Sequence, residues 1–506
     1  MMKRISNLFN SIAEMKKFIL LYILTVIFFV FITFNQNNYL HPIKNLLIIF
    51  IIVIEGIICL LFYKFNSKEL HKVAFVIILV FGTTCLLLTP VLNIDDGVEH
   101  FFRAEATSRG VLVPEYDNVT HYVSIKSCNH IQHNKYHLFT SILYSPINQS
   151  DSHVRSMFAQ NPFYGYIAPA IGIFLSKVFN LTEIFMVWLG SFFNLLLYAS
   201  FAYLSIKKAP KLKMPLLVCA CIPLALYQGA SVSIDSFVFG ISLLLIAYFI
   251  SGYSADVKST DKKEVSIISI LLLLLALIKP NYIIFGFLFL FIPRDKFENK
   301  NTYLMLIGTL MLVLVSVVLY TKFYSIDVLN NSYRQEVFNQ LHTSPSGQLN
   351  YMFSHKTETL ILFSTLTYEF PLLMQKLFNV FWYFDYERGY LLSYLYYGFF
   401  ALVTFLYPIY LEIKNSDRIK ILIIALVIIV GTYFIQLLTW AGVGNYGAGV
   451  NWGVNFRYFI PLFALMPLIF NINRENKKIE NLDVYIIILV MGFIAGLLLM
   501  IFAKHY

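Results

Sequence analysis

Charge is what this sequence has least of. Only 13% of its 506 residues are Asp, Glu, Lys or Arg, while 58% are hydrophobic. Soluble globular domains carry about 25% charged residues, and mean hydropathy here is +0.70. That shortage excludes an ordinary soluble enzyme and a disordered chain, and it makes lipid the solvent. Cysteine is scarce too, with five copies. Cys59, Cys85, Cys219 and Cys221 lie in apolar runs and only Cys128 lies in a long polar stretch, which excludes an intrachain disulfide framework. No G-x-x-x-x-G-K-[ST] loop is present. An ATP-driven pump, or an enzyme using cytoplasmic nucleotide sugars, is therefore not expected. Internal repeats of the kind that build inverted transporter halves are also missing.

What is present is a series of apolar runs. A helical span needs about 20 apolar residues. The runs predict an all-α integral membrane protein with about 13 transmembrane helices, at 17–34, 43–63, 73–91, 181–205, 213–229, 235–253, 265–279, 281–293, 302–322, 391–411, 420–440, 457–470 and 483–503. The runs at 281–293 and 457–470 are short enough to be half-helices. The opening M-M-K-R, followed by an apolar run with no small-residue cleavage site, predicts a retained anchor.

Positive charge orients the spans. The formal net charge is +10, but the basic residues are scattered in small clusters between apolar runs, so nucleic acid is not an expected partner. With the N-terminus cytoplasmic and 162–179 lying along the membrane surface, 23 of the 38 Lys and Arg fall in seven short cytoplasmic segments. If 162–179 spanned, the cluster K-K-A-P-K-L-K would face outward and the bias would collapse. The C-terminus is then outside, as are two large loops at about 92–180 and 323–390 and a smaller one at 441–456.

Ionisable residues at span ends gather on that outer side. The first loop opens T-P-V-L-N-I-D-D-G-V-E-H-F-F-R-A, which puts Asp95, Asp96, Glu99, His100 and Arg103 within nine residues. Adjacent carboxylates at a lipid–water boundary suit general-base work, or coordination of a divalent cation by Asp95 and Asp96. The bland reading is a polar helix cap with a solvated charged turn. Asp235 in G-A-S-V-S-I-D-S-F, Lys279 in A-L-I-K-P-N-Y and Arg457 in V-N-F-R-Y-F-I-P reach the same boundary. Lys279 and Arg457 read either as snorkelling anchors or as cations that clamp a lipid-linked phosphate. Asp385, Glu387 and Arg388 sit among aromatics in L-F-N-V-F-W-Y-F-D-Y-E-R-G-Y. This suits a sugar-binding surface or an interfacial aromatic belt. His130, His133 and His137 have zinc-like spacings but no cysteine pair beside them, so a solvated loop is expected.

Six landmarks in order carry a resemblance. I-D-D-G-V-E-H-F-F-R-A is similar to a P-D-E-x-x-H-F-x-R-A motif, with Asp96 in the aspartate place and Gly97 where a glutamate is usual. N-P-F-Y-G-Y-I-A-P-A-I-G-I-F-L resembles a juxtamembrane helix. S-V-S-I-D-S-F, L-I-K-P-N-Y, F-W-Y-F-D and V-N-F-R-Y-F-I-P follow. Over roughly 85–470 the chain resembles the bacterial multi-pass family known as domain of unknown function 2142, which itself looks like a branch of the GT-C glycosyltransferases. The organisation implied is N-terminal spans at 1–84, a GT-C-like domain at 85–470 and a C-terminal span at 471–506. The resemblance implies an inverting transfer of sugar from a polyprenyl-phosphate carrier to a cell-surface polysaccharide or glycolipid on the outer face of the cell membrane. Asp96 is the expected base, with Asp95 beside it. His100, Arg103, Asp235, Lys279, Asp385 and Arg457 are the expected substrate contacts. The alternatives are a polysaccharide polymerase and a flippase or transporter of lipid-linked sugar. Transport is disfavoured because charge at mid-span is sparse, Glu55 being the clearest case.

Overall fold

The computed structural model describes residues 2–34, 42–117, 120–126, 138, 140–147, 150–340, 342, 344–364, 366–378, 386–409, 411–439, 454–472 and 479–506. The fold is all-α apart from one two-stranded antiparallel ribbon, β1 (Val123–Lys126) and β2 (Asp151–Val154). In chain order the α-helices are α1 (Met2–Thr33), α2 (Pro42–Asn66), α3 (Leu70–Leu88), α4 (Gly97–Ser108), α5 (Ile167–Val178), α6 (Glu183–Lys208), α7 (Lys213–Ala220), α8 (Pro223–Gly229), α9 (Asp235–Ser254), α10 (Lys262–Ile278) and α11 (Lys300–Tyr320). There follow α12 (Ile326–Asn330), α13 (Tyr333–Gln340), α14 (Pro345–Ser354), α15 (Lys356–Ser364), α16 (Leu366–Met374), α17 (Tyr386–Leu406), α18 (Asn415–Thr439), α19 (Met466–Phe470) and α20 (Leu482–His505).

All thirteen apolar runs are helical, but among the described residues only nine helices are long and apolar enough to cross a membrane. The other four are short or broken, and proline accounts for three of them. Pro223 divides 213–229 into α7 and α8. Pro280 opens a 3-10 helix, Pro280–Phe291, and Pro461 lies inside another, Phe456–Leu465, which runs into α19. Each proline removes a backbone donor and fixes φ, so a long α-helix does not propagate. Lipid tolerates such broken backbone only where neighbouring helices enclose it, and α7, α8 and Phe456–Leu465 are almost wholly buried. The fourth, α10, has 17 residues, about 25 Å. Asp261 caps its start by accepting from the Glu264 amide at 2.8 Å.

Helix directions follow from the contacts. Phe18 meets Tyr485, Phe29 meets Phe493 and Phe34 meets Phe502, so α1 and α20 run parallel. The basic segments collect at one end of the bundle: Lys64 pairs with Glu14, Lys208 with Glu264, and Tyr253 Oη at the end of α9 donates at 2.9 Å to Asp417, which pairs with Lys420. Residues 163–178 pack along the ends of α6 and α10. Tyr164 Oη donates to the Leu274 carbonyl at 2.7 Å near the far end of α10, and Ser176 Oγ donates to the Phe185 carbonyl at the start of α6. The chain thus leaves and re-enters at the same end. Gly172 permits this tight return, since a Cβ there would lie 2.2 Å from the Leu189 carbonyl oxygen. Ile167, Ile171, Phe174 and Val178 form an exposed apolar stripe on α5, as a helix lying against lipid requires.

Candidate functional site

The end of the bundle opposite the basic segments holds a cluster of ionised groups. It begins in the turn after α3. Leu92 and Asp96 both take positive φ, at 53° and 59°. An apolar side chain in that region is strained by about 1–3 kcal/mol, and such strain persists only where surroundings enforce it. The turn closes by a bond from the Gly97 amide to the Ile94 carbonyl at 3.1 Å. A Cβ on Gly97 would stand 2.4 Å from the Leu92 carbonyl oxygen. This accounts for glycine where a glutamate was expected: the turn folds back on its own backbone and leaves no room.

Asp96 occupies the N-cap of α4 but makes no capping hydrogen bond. Its side chain accepts instead from Arg457 Nη2. The same guanidinium donates from Nη1 to the Asp95 carbonyl at 2.8 Å, and its Nε lies 3.2 Å from Asp235 Oδ2. That last contact is an ion pair without hydrogen-bond alignment. Lys279 Nζ stands 4.0 Å from Asp235 Oδ1 and 4.4 Å from the centre of the Tyr458 ring, which Arg457 also faces at 5.4 Å. The Asp95 carboxylate accepts from Asn455 Nδ2, and Asn455 Oδ1 also caps the backbone N–H of Arg457 at 3.2 Å.

Exposure separates these groups. The side chains of Asp235 and Arg457 are 3% and 4% exposed, that of Lys279 is 29% and that of Asp96 is 45%. Asp96 is the open carboxylate, and Lys279 the more open cation. Burial works against ionisation of Asp96, but the Arg457 guanidinium outweighs it and holds this carboxyl below the ordinary carboxylate range. Burial prevails at Asp95 and Glu99 and pushes both carboxyls up. Asp96 is thus the ionised acceptor with an open face.

The supporting contacts come from residues that the sequence did not single out as site residues. Asn194 Nδ2 donates to the Ser231 and Ser233 carbonyls at 2.6 and 2.9 Å, while its Oδ1 accepts from Ser236 at 2.9 Å. One side chain of α6 therefore fixes the turn that presents Asp235. Tyr227 Oη donates to the Asn93 carbonyl, and Tyr282 Oη to that of Tyr458. The first pins the turn that carries Asp95 and Asp96, and the second pins backbone next to Arg457.

His100 and Arg103 lie one and two turns along α4. His100 Nδ1 is 2.8 Å from Tyr166 Oη, and burial pulls its imidazole down to about 4. Arg103 is wholly buried. It donates to the carbonyls of Asn161, Val111 and Leu112 and to Thr107 Oγ1. It holds the strap 157–162 against α4, and its nitrogens face protein carbonyls. Tyr320 and Tyr324, on the extension of α11, donate to the Gln160 and Ala159 carbonyls from the strap's other side. Glu105 pairs with Lys177 at 2.5 Å and Arg109 at 2.9 Å, tying α4 to α5.

Asp385 lies outside the described residues, as do Cys128, the three zinc-spaced histidines and 440–453. Arg388 is described and donates to the Thr33 carbonyl at 3.0 Å. Cys59, Cys85, Cys219 and Cys221 are free and buried. Among the described residues no group of three or more His, Cys, Asp or Glu is arranged to hold a metal ion.

Fold and site together define a multi-pass α-helical membrane protein with an ionised cluster at one end of its bundle. The chain belongs to the family described as predicted membrane protein (DUF2142), whose model matches residues 79–466. That stretch contains every residue of the cluster. Neither the curated proteins nor the solved structures contain a match to this chain.

Proposed function

We propose that the protein is a membrane glycosyltransferase that moves a sugar from a polyprenyl-phosphate carrier to a cell-surface polysaccharide or glycolipid on the outer face of the membrane. The observation that carries this reading is the pairing of an open carboxylate, Asp96, with a buried guanidinium, Arg457, at the lipid boundary. In the proposed reaction Asp96 takes the proton of the acceptor hydroxyl. The acceptor oxygen attacks the anomeric carbon from the face opposite the lipid phosphate, and the phosphate leaves with the bonding electron pair. Lys279 and Arg457 stabilise the charge that develops on it. A donor phosphate that engages Arg457 draws Nη2 away from Asp96 and raises the basicity of that carboxylate as the substrate arrives. Asp95 is bonded to Asn455 and supports the turn. Asp235 orients both cations. Arg103 acts through the 157–162 strap, and Asp385 is assigned to the sugar. The proposed topology has the N-terminus cytoplasmic and the cluster extracytoplasmic, because the basic segments gather at the other end.

The test compares envelope glycans from a deletion strain and its parent. Loss of one side-branch sugar, restored by the wild-type gene and not by Asp96→Asn, is the expected result. Uniformly shortened chains mean polymerisation, lipid-linked precursor trapped inside means flipping, and either overturns the transferase reading. With purified protein in lipid, Lys279→Ala should weaken use of a polyprenyl-phosphate sugar roughly ten- to hundredfold, the worth of one contact to a charged group.

A further inference from the structure

His100 has the residue type of a general base and sits one turn from Asp96, yet its hydrogen bonds assign it another task. A phenol has one proton. Asn161 Nδ2 donates to Tyr166 Oη at 3.0 Å, so Tyr166 Oη is an acceptor from that side. Were His100 Nδ1 also a donor to it, the buried phenol proton would have no acceptor among the described residues, so that proton is directed at His100 Nδ1, 2.8 Å away. A ring nitrogen that accepts carries no hydrogen, so the proton of the neutral imidazole is on Nε2. Among the described residues, Nε2 has no hydrogen-bond partner.

The chain of contacts is anchored at its far end. The Asn161 carbonyl accepts from Arg103 Nε and Nη2 at 3.3 and 3.2 Å, and the guanidinium lies 5.7 Å from the centre of the Tyr166 ring. Phe158, in the same strap, lies against the imidazole at 4.7 Å between ring centres. The ring is therefore held on one edge by a phenol and on one face by a phenylalanine, and Tyr166 is fully buried. The charged groups acting on the ring are Asp235 from α9, Arg457, Asp96 from the start of its own helix and Lys279 from the end of α10, with Glu99 and Arg103 its neighbours along α4. Burial and the cations together oppose a second proton on the ring.

We propose that Tyr166 and Asn161 are positioning residues that hold His100 in its Nε2–H tautomer, so that His100 serves the site as a neutral hydrogen-bond donor to a substrate oxygen. This rests on the transferase reading for the identity of that oxygen, which belongs to the sugar or to the lipid phosphate. The tautomer itself does not depend on that reading. A fixed neutral donor suits a site already rich in charge: it stabilises an anionic oxygen without adding a cation that would compete with Arg457 for Asp96.

The experiment reads the tautomer directly. Protein with 15N-labelled histidine is reconstituted in nanodiscs, and His100 is assigned by loss of its signals in His100→Gln. The expected result is a bare Nδ1 and a protonated Nε2 from about pH 5 to 8. A protonated Nδ1, or a doubly protonated ring at neutral pH, overturns the proposal. Tyr166→Phe should give a mixture of tautomers; an unchanged spectrum refutes the positioning role. In the complemented deletion strain, read as envelope glycan, His100→Gln should lose less activity than His100→Ala, because it keeps an N–H donor. His100→Ala should lose about ten- to hundredfold. Equal loss in both variants, or no loss in either, overturns the donor role. If the glycan is unchanged by deletion of the gene, the transferase reading fails while the spectrum still decides the tautomer.

Discussion

Arg457→Lys separates the geometry of this site from a mere positive charge at a membrane boundary. Snorkelling needs only a cation, so lysine would serve. The guanidinium instead uses three nitrogens on three partners: the Asp95 carbonyl at 2.8 Å, the Asp96 carboxylate, and Asp235 Oδ2 at 3.2 Å. An ammonium on an unbranched stem is a point charge and cannot hold all three. If it keeps the deepest partner, Asp235, it loses the backbone contact and Asp96. A hydrogen bond involving a charged group is worth about 1.5–3 kcal/mol. The Asp96 side chain is 45% exposed, so its share falls towards the roughly 0–1 kcal/mol of a solvated pair. The expected loss of stability is about 1.5–4 kcal/mol. Arg457→Ala removes the charge and leaves Asp235 with Lys279 at 4.0 Å, for which about 3–5 kcal/mol is expected. The assay is unfolding in mixed micelles titrated with sodium dodecyl sulfate and followed by tryptophan fluorescence. A double-mutant cycle with Asp96→Asn should show coupling of about 0.5–1 kcal/mol, the low end of the range for contacting pairs. Arg457→Lys within about 0.5 kcal/mol of wild type, with no coupling to Asp96, would refute the reasoning and return Arg457 to a head-group anchor.

Asp96→Asn should reduce glycan transfer by about 10²–10⁴ with protein level unchanged, as expected for loss of a general base. Asp95→Asn should cost less, because its carboxylate is already bonded to Asn455; equal severity in both would mean a shared metal ion. Since Arg457 holds Asp96 of the free enzyme below the ordinary carboxylate range, the acid limb of the kcat/KM profile, which reports the free enzyme, should fall below that range, whereas a limb above it would implicate Asp95 or Glu99. Linkage has the same sign: the stability contributed by ionised Asp96 is present above its unfolded value and is lost as pH falls through its lowered folded value. A cysteine placed at Lys208 should react with an impermeant thiol reagent only after the membrane is opened, whereas Cys128 should react in intact cells stripped of their wall; labelling at 208 from outside would invert the proposed topology.

Some of this architecture was written locally along the chain. Hydropathy over about 20 residues marks a buried or lipid-facing helix wherever it occurs, so all thirteen runs are helical. Charge segregation is also read segment by segment, and the basic segments do meet at one end. Periodicity missed the breaks. Pro223, Pro280 and Pro461 turn apolar stretches into short α and 3-10 pieces, because a missing donor stops propagation whatever the hydropathy. At the site, Asp96, Asp235, Lys279 and Arg457 stood out as ionisable residues at span ends, where charge is expensive. The charged turn also read as a solvated cap, and the missing capping bond at Asp96 tells against that.

Only the tertiary structure joined those residues. Asp96 and Arg457 are 361 positions apart, and no spacing rule spans that distance. The roles of Asn194, Asn455, Tyr166 and Asn161 were illegible for a related reason, although the last three stand in quoted landmarks. Their work is to bond backbone or another polar group across helices, and 34 tyrosines in one chain give no hint which hydroxyl is so placed. Arg103 shows the reverse: its type and position suggest a ligand contact, and packing encloses it among carbonyls. A sequence determines where polar groups are costly in lipid, because that cost is a property of each segment. Which groups meet to offset it is a property of the packed bundle, since a buried charge is satisfied by whatever partner packing places within about 3 Å of it.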